Sequence, residues 1–153
     1  MAREGLELHP LAKIYAAAEE TYRAAEAGLA AARRELEAVE ERLSRLQVEL
    51  ARLYGPGYLT VKTVGNRRGR RYRYPVWRGI DGRDRYLKGD PRAREVLSLK
   101  EKQRLLRARI NKLKRIARYA YAHMQATREY KDTCIDQETG EYLDCPQGFR
   151  VEG

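Results

Sequence analysis

Five arginines stand within seven residues near the middle of this chain: Arg67, Arg68, Arg70, Arg71 and Arg73. A guanidinium carries a planar fork of N–H donors that matches two oxygens of a phosphate, so this is the residue type for holding a polyanion. Crowded like this, such groups repel one another unless an anion lies nearby. Tyr72, Tyr74 and Trp77 are interleaved with them, and Lys62, Arg78, Arg83, Arg85 and Lys88 flank them. Aromatic rings beside arginines stack on unpaired bases or line a groove, and a basic two-stranded ribbon fits the major groove of DNA. The plainer alternative is that the rings form the core of a small head and the arginines are merely solvated.

The charge of the whole chain sharpens the point. Its formal net charge is +10, and it is unevenly placed. Residues 55–95 carry 12 bases against 4 acids and residues 96–131 carry 11 against 2, whereas residues 132–153 carry 1 against 6. Such asymmetry implies a polyanionic partner for the basic part, nucleic acid and DNA before RNA. Arg104, Lys112, Arg115 and Arg118 fall on the outer face of a helical segment, where they either continue a phosphate-tracking stripe or form an ordinary solvated face.

The elements that must position these groups follow from periodicity. Apolar or small residues recur at steps of three and four from Leu8 through Tyr15, Ala25, Leu36 and Leu46 to Leu53, which is a heptad seam. Pro10 suits a first helical turn, and Gly55-Pro56-Gly57 ends the helix. A second seam runs from Val96 through Leu106 and Ala117 to Thr127, opened by Asp90-Pro91 as N-cap and first-turn proline. With Tyr15 at heptad position a, Glu19, Glu26 and Glu40 stand at e and Glu35 and Glu49 at g of the first helix. In the second, Lys100, Arg107 and Lys114 stand at e and Lys102 and Arg109 at g, so acid meets base along both flanks if the two run antiparallel. The small residues between Ala16 and Ala32 permit close approach of a second copy, and hence a homodimer through the Ala-rich part of the first helix.

Between the seams, alternation over 58–64, 71–77 and 83–88 predicts three short strands joined by turns at Gly65-Asn66 and Asp81-Gly82. Pro75 points to a strand edge or a bulge. The expected fold is mainly α: a long antiparallel coiled-coil hairpin with an inserted small three-stranded antiparallel β head and a short C-terminal hairpin. Its parts are a first stalk helix over 1–54, the basic head over 55–90, a second stalk helix over 91–131 and an acidic hairpin or tail over 132–153, frayed from 148 onward.

Cys134 and Cys145 flank a turn at 136–140, so the spacing allows a disulfide, leaves free buried thiols open, and offers too few ligands for an ordinary zinc site. No metal or cofactor is expected. No phosphate-cradling glycine loop, nucleophile–base set or enclosed pair of carboxylates appears, so a binding protein is expected rather than an enzyme. No run of about 18 apolar residues exists, and the first ten residues lack the apolar core of a signal peptide, which implies a cytoplasmic protein away from membranes.

The order of coiled coil, tyrosine-rich strands and second helix resembles a group of small archaeal and bacterial helical-hairpin proteins. The carrying residues are Gly57-Tyr58-Leu59, Tyr72-Arg73-Tyr74 and Arg85-Tyr86-Leu87-Lys88-Gly89. Residues 57–89 also resemble the arm-binding sheet of tyrosine recombinases, which implies DNA contact by the sheet. The likeness covers about a fifth of the chain. The cysteine-rich loop of many of the hairpin proteins is missing here, and so is any recombinase catalytic domain.

Overall fold

A computed structural model describes residues 5–146 of the chain. Residues 1–4, and the tail expected to fray beyond 148, lie outside this range. The described chain is mostly helical, with two small three-stranded antiparallel sheets. Its elements are β1 (Leu6–Leu8), α1 (Pro10–Tyr54), β2 (Gly57–Gly65), β3 (Arg71–Gly79), β4 (Asp84–Tyr86), α2 (Pro91–Thr127), a 3₁₀ turn (Arg128–Tyr130), β5 (Thr133–Asp136) and β6 (Tyr142–Asp144). None of the described helices is long and apolar enough to cross a membrane. Two compact units form, and each takes part of both helices. One comprises Ala32–Arg109, the other Met1–Ala31 with Ile110–Gly153.

In the unit Ala32–Arg109 the strands are ordered β2-β3-β4. Residues facing the same side follow from the register: Leu59 pairs with Trp77 and Val61 with Pro75, while Thr60 pairs with Val76 and Lys62 with Tyr74. The first of these faces docks on the helices. Leu59, Trp77 and Leu87 pack with Leu46 and Leu50 of α1 and Ala93 and Val96 of α2. Docking adds buried surface to a sheet of the smallest size that holds together. Gly55, at φ +84°, ends α1, and its carbonyl accepts the Trp77 indole N–H at 3.2 Å. Gly57 has no side chain for a steric reason, since a Cβ there would stand 2.3 Å from the Arg78 carbonyl oxygen. Among the expected cross-helix ion pairs, Lys102–Glu35 (3.0 Å) and Arg107–Glu40 (3.3 Å) are present. A pair of opposite sense, Arg42–Glu95 at 2.8 Å, was not anticipated.

Pro75 corrects the expectation of an edge position: it lies in the central strand, opposite Val61. The Leu87 amide donates to the Pro75 carbonyl at 2.9 Å. The reciprocal bond cannot form because proline has no N–H. The β4 ladder accordingly stops at Tyr86, one residue short of that pair.

The other unit holds the chain ends. Here β5 pairs with both β1 and β6, and Leu8 stands opposite Cys134. The C-terminal hairpin therefore gains a third strand that periodicity assigned to the helix. The correction has a local cause. Pro10 disfavours the helical conformation in His9, so the chain before it runs extended. His9 then caps α1, its Nδ1 accepting the Leu11 N–H at 3.0 Å, while its own amide donates to the Thr133 carbonyl at 3.0 Å. The ring stacks on Tyr130 at 4.6 Å and meets Tyr142 edge-on at 5.0 Å. Cys134 and Cys145 form a disulfide, with Cα atoms 5.0 Å apart, behind Leu8 and Ala12. Gly28 faces Leu113 so closely that an added Cβ would stand 3.2 Å from its Cδ1.

Candidate nucleic-acid interface

The turn between β2 and β3 is organised by one side chain. Asn66 Oδ1 accepts the backbone N–H groups of Arg68 (3.0 Å) and Arg70 (2.9 Å). The Asn66 amide donates to the Arg70 carbonyl at 2.9 Å, and Gly69 supplies the left-handed residue at φ +74°. An asparagine bonding its own turn is a standard local device. Here its consequence is that the loop is held by Asn66 and the backbone, leaving the arginine side chains unused. Arg67, Arg68, Arg70, Arg71 and Arg73 are all exposed, and none forms an ion pair or side-chain hydrogen bond among the described residues.

Alternation divides the rest of the sheet. Arg71 and Arg73 lie on the same side as Trp77, opposite Gly65 and Thr63. Tyr72 and Tyr74 lie on the other side, with Tyr58, Lys62 and, through the register of β4, Tyr86. That outer face is aromatic and wet: Tyr58, Tyr72 and Tyr86 are 52%, 43% and 57% exposed. The Tyr72 and Tyr74 rings lie 6.3 Å apart at 28°, and the Tyr74 and Tyr86 rings 6.4 Å apart at 80°. Lys88 Nζ stands 5.5 Å from the Tyr74 ring and Lys62 Nζ 5.9 Å from the Tyr86 ring. Both distances are within cation–π range.

Several residues expected at the interface have other employment. Trp77 is 1% exposed and belongs to the core, so it offers no surface to a ligand. Arg78 is engaged by Asp84, Nε to Oδ1 at 3.0 Å. Donating to the Asp84 carboxylate, ahead of the interaction with Tyr58, raises the Arg78 pKa, and Arg78 in turn holds the Asp84 carboxyl below its ordinary range. Arg104 is paired with Glu101 on the preceding turn at 2.6 Å, and that bond, with a smaller contribution from the charge of Arg73, lowers the Glu101 pKa. Arg83 approaches Asp81 only to 3.9 Å. Arg83 and Arg85 line an open cleft of ≈ 510 Å³ beside Tyr54, Trp77 and Ile80, away from the tyrosine face. Lys112, Arg115 and Arg118 belong to the other unit, where they are exposed and form no ion pair among the described residues.

Tyr58 and Tyr86 were absent from the expected site. The signal that finds them is strand register, since each lies opposite a residue of β3 whose side is already known. Comparison with protein families, curated proteins and solved structures finds no match for this chain.

Proposed function

We propose that this is a non-enzymatic nucleic-acid-binding protein, DNA before RNA, that holds phosphates through the arginine loop at residues 66–70 and the adjoining start of β3. The reading retains the expectation of an antiparallel helical hairpin carrying a basic head. It rests on one observation above the others: five closely spaced arginines on an ordered ribbon, none in an ion pair among the described residues, with only Arg73 sensed at a distance by a carboxylate, Glu101. Uncompensated like charge opposes the compact state and is relieved when an anion binds. Lys112, Arg115 and Arg118 of α2 add a separate set of exposed bases for the same polymer.

The test is a titration of the full chain with DNA at several salt concentrations. Phosphate binding predicts tight association at low salt and a steep, log-linear loss as salt rises. Absence of binding to any DNA or RNA at low salt would remove the reading.

A second reading, an adaptor whose basic head meets an acidic protein, draws on a different feature. The unit holding the chain ends carries an open apolar groove of ≈ 410 Å³ lined by Ile14, Ala17, Ala18, Ile116, Tyr119 and Ala120. It coincides with the Ala-rich stretch through which a homodimer is expected. A partner retained after nuclease treatment, together with failure to bind nucleic acid, would favour that reading.

A further inference from the structure

Nucleic acid can meet a basic ribbon in two ways. The ribbon enters a groove of a duplex, or an unpaired strand lies along its face. We infer that the outer face of β2-β3-β4 takes an unpaired strand, with bases on the tyrosine rings and phosphates at Lys62, Lys88 and the arginine loop. This rests on the proposed nucleic-acid function and narrows it to single-stranded polymer.

Four observations carry the inference. First, every aromatic on that face is tyrosine: Tyr58, Tyr72, Tyr74 and Tyr86. A tyrosine ring tolerates water through its hydroxyl yet keeps a flat apolar surface for stacking. Second, Tyr58, Tyr72 and Tyr86 stay exposed, although Val76 on the same face is fully buried. The sheet's opposite face supplies Leu59, Trp77 and Leu87 to the core, so the tyrosine side is the one left open.

Third, neighbouring ring centroids are 6.3 and 6.4 Å apart. Bases stacked in a duplex strand advance by only about 3.4 Å. A strand laid over these rings must be unstacked, one base to a ring, which a duplex resists and a single strand permits. Fourth, the charge is matched to such a strand. Lys62 and Lys88 stand over the rings of Tyr86 and Tyr74, the place a stacked base would take while the flexible lysine swings aside to its phosphate. A base resting on either ring brings its phosphate toward an ammonium, and the continuing strand reaches the loop at residues 66–70. Aromatic platforms beside a cationic track are the general solution for single strands, and they tolerate any sequence because every base has a flat face.

The experiment compares three probes on the intact chain: a 20-nucleotide oligo(dT), the corresponding dA·dT duplex, and inorganic polyphosphate, which has the charge without the bases. Wild type is set beside Tyr72→Ala/Tyr86→Ala and Tyr72→Leu/Tyr86→Leu. The leucine pair keeps an apolar, strand-compatible side chain, so the sheet's fold is controlled for by circular dichroism. Oligo(dT) should bind more tightly than the duplex. Each tyrosine removed should weaken oligo(dT) by roughly five- to 160-fold, while polyphosphate binding stays unchanged. Equal or tighter duplex binding overturns the inference and leaves phosphate binding standing, as does a folded leucine variant with wild-type affinity for oligo(dT). Failure of all three probes to bind at low salt overturns the underlying function as well.

Discussion

Replacing Arg67, Arg68, Arg70 and Arg71 with alanine tests the arginine loop directly. All four side chains are exposed and form no ion pair among the described residues, and the turn itself is closed by Asn66 and Gly69. The substitutions therefore remove charge without disturbing what holds the sheet. Helicity and melting temperature should be unchanged, or slightly raised as like charges are relieved. Every arginine that neutralises a phosphate steepens the slope of log affinity against log salt by about 0.7 on single strands, so deleting four such arginines flattens that slope by up to about 2.8. Between about 50 and 200 mM salt, that difference means wild type loses roughly fifty-fold more affinity than the variant. Fluorescence anisotropy of a labelled oligonucleotide across that range reads the slope. A variant that keeps the wild-type slope and the wild-type melt would refute the placement of phosphates at the loop. A variant that unfolds would refute the claim that Asn66, rather than the arginines, holds the turn.

Three further predictions concern what holds the elements in place. Gly57→Ala drives a Cβ to within 2.3 Å of the Arg78 carbonyl oxygen, a backbone atom that cannot step aside. It should cost about 1–3 kcal/mol and redden Trp77 fluorescence, whereas Gly65→Ala, with nothing within 4 Å, should melt near wild type; equal melts for the two would contradict the packing. His9→Ala removes the cap of α1 and should cost about 1 kcal/mol in thermal unfolding, and an unmoved transition would show that His9 Nδ1 contributes nothing. Asp90 caps α2 and accepts the Tyr54 hydroxyl at 2.6 Å; that bond, ahead of those from Arg92, holds its carboxyl below the ordinary range. Because the folded carboxyl binds its proton more weakly than the unfolded one, its contribution is complete above the ordinary carboxylate pKa and is lost as pH falls through the lowered value. The stability gap between wild type and Asp90→Asn should shrink below about pH 4; a gap constant from pH 7 to 3 would refute it.

Much of this architecture could be read from local periodicity, and what could not has physical causes. The second seam, from Val96 to Thr127, is buried or half-buried at every expected position. The first holds from Leu11 to Leu50, but Leu53 is 51% exposed at the last turn of α1. The head's strands were legible because alternation and turn residues agree. Strand β1 was not, because its partner β5 lies at the far end of the chain and no local pattern encodes a three-residue strand. Trp77 illustrates a second limit. Alternation placed it opposite Tyr72 and Tyr74, correctly, but alternation cannot say which side docks; Leu46 and Leu50 decide that. Arg104 illustrates a third: heptad positions encode partners across the helices, whereas its partner Glu101 stands three residues before it on the same helix.

The division of labour in the head narrows what it can bind. A sheet with one face in the core leaves the other to water, where polar residues are the usual choice. This sheet spends that face on tyrosines, and the chain has 11 of them against a single phenylalanine. Were the rings needed only to cover Val76, which is fully buried on this face, phenylalanine would serve. Were charge alone needed, the arginine loop would suffice and the face could be serine or threonine. Polyphosphate, an acidic peptide and a duplex each answer one half of this surface, the cationic half. An unpaired strand answers both, because its phosphates and its bases are separately accessible. Loss of oligo(dT) affinity on removing the rings, with polyphosphate affinity intact, is therefore the result that only this pairing of surface and ligand produces.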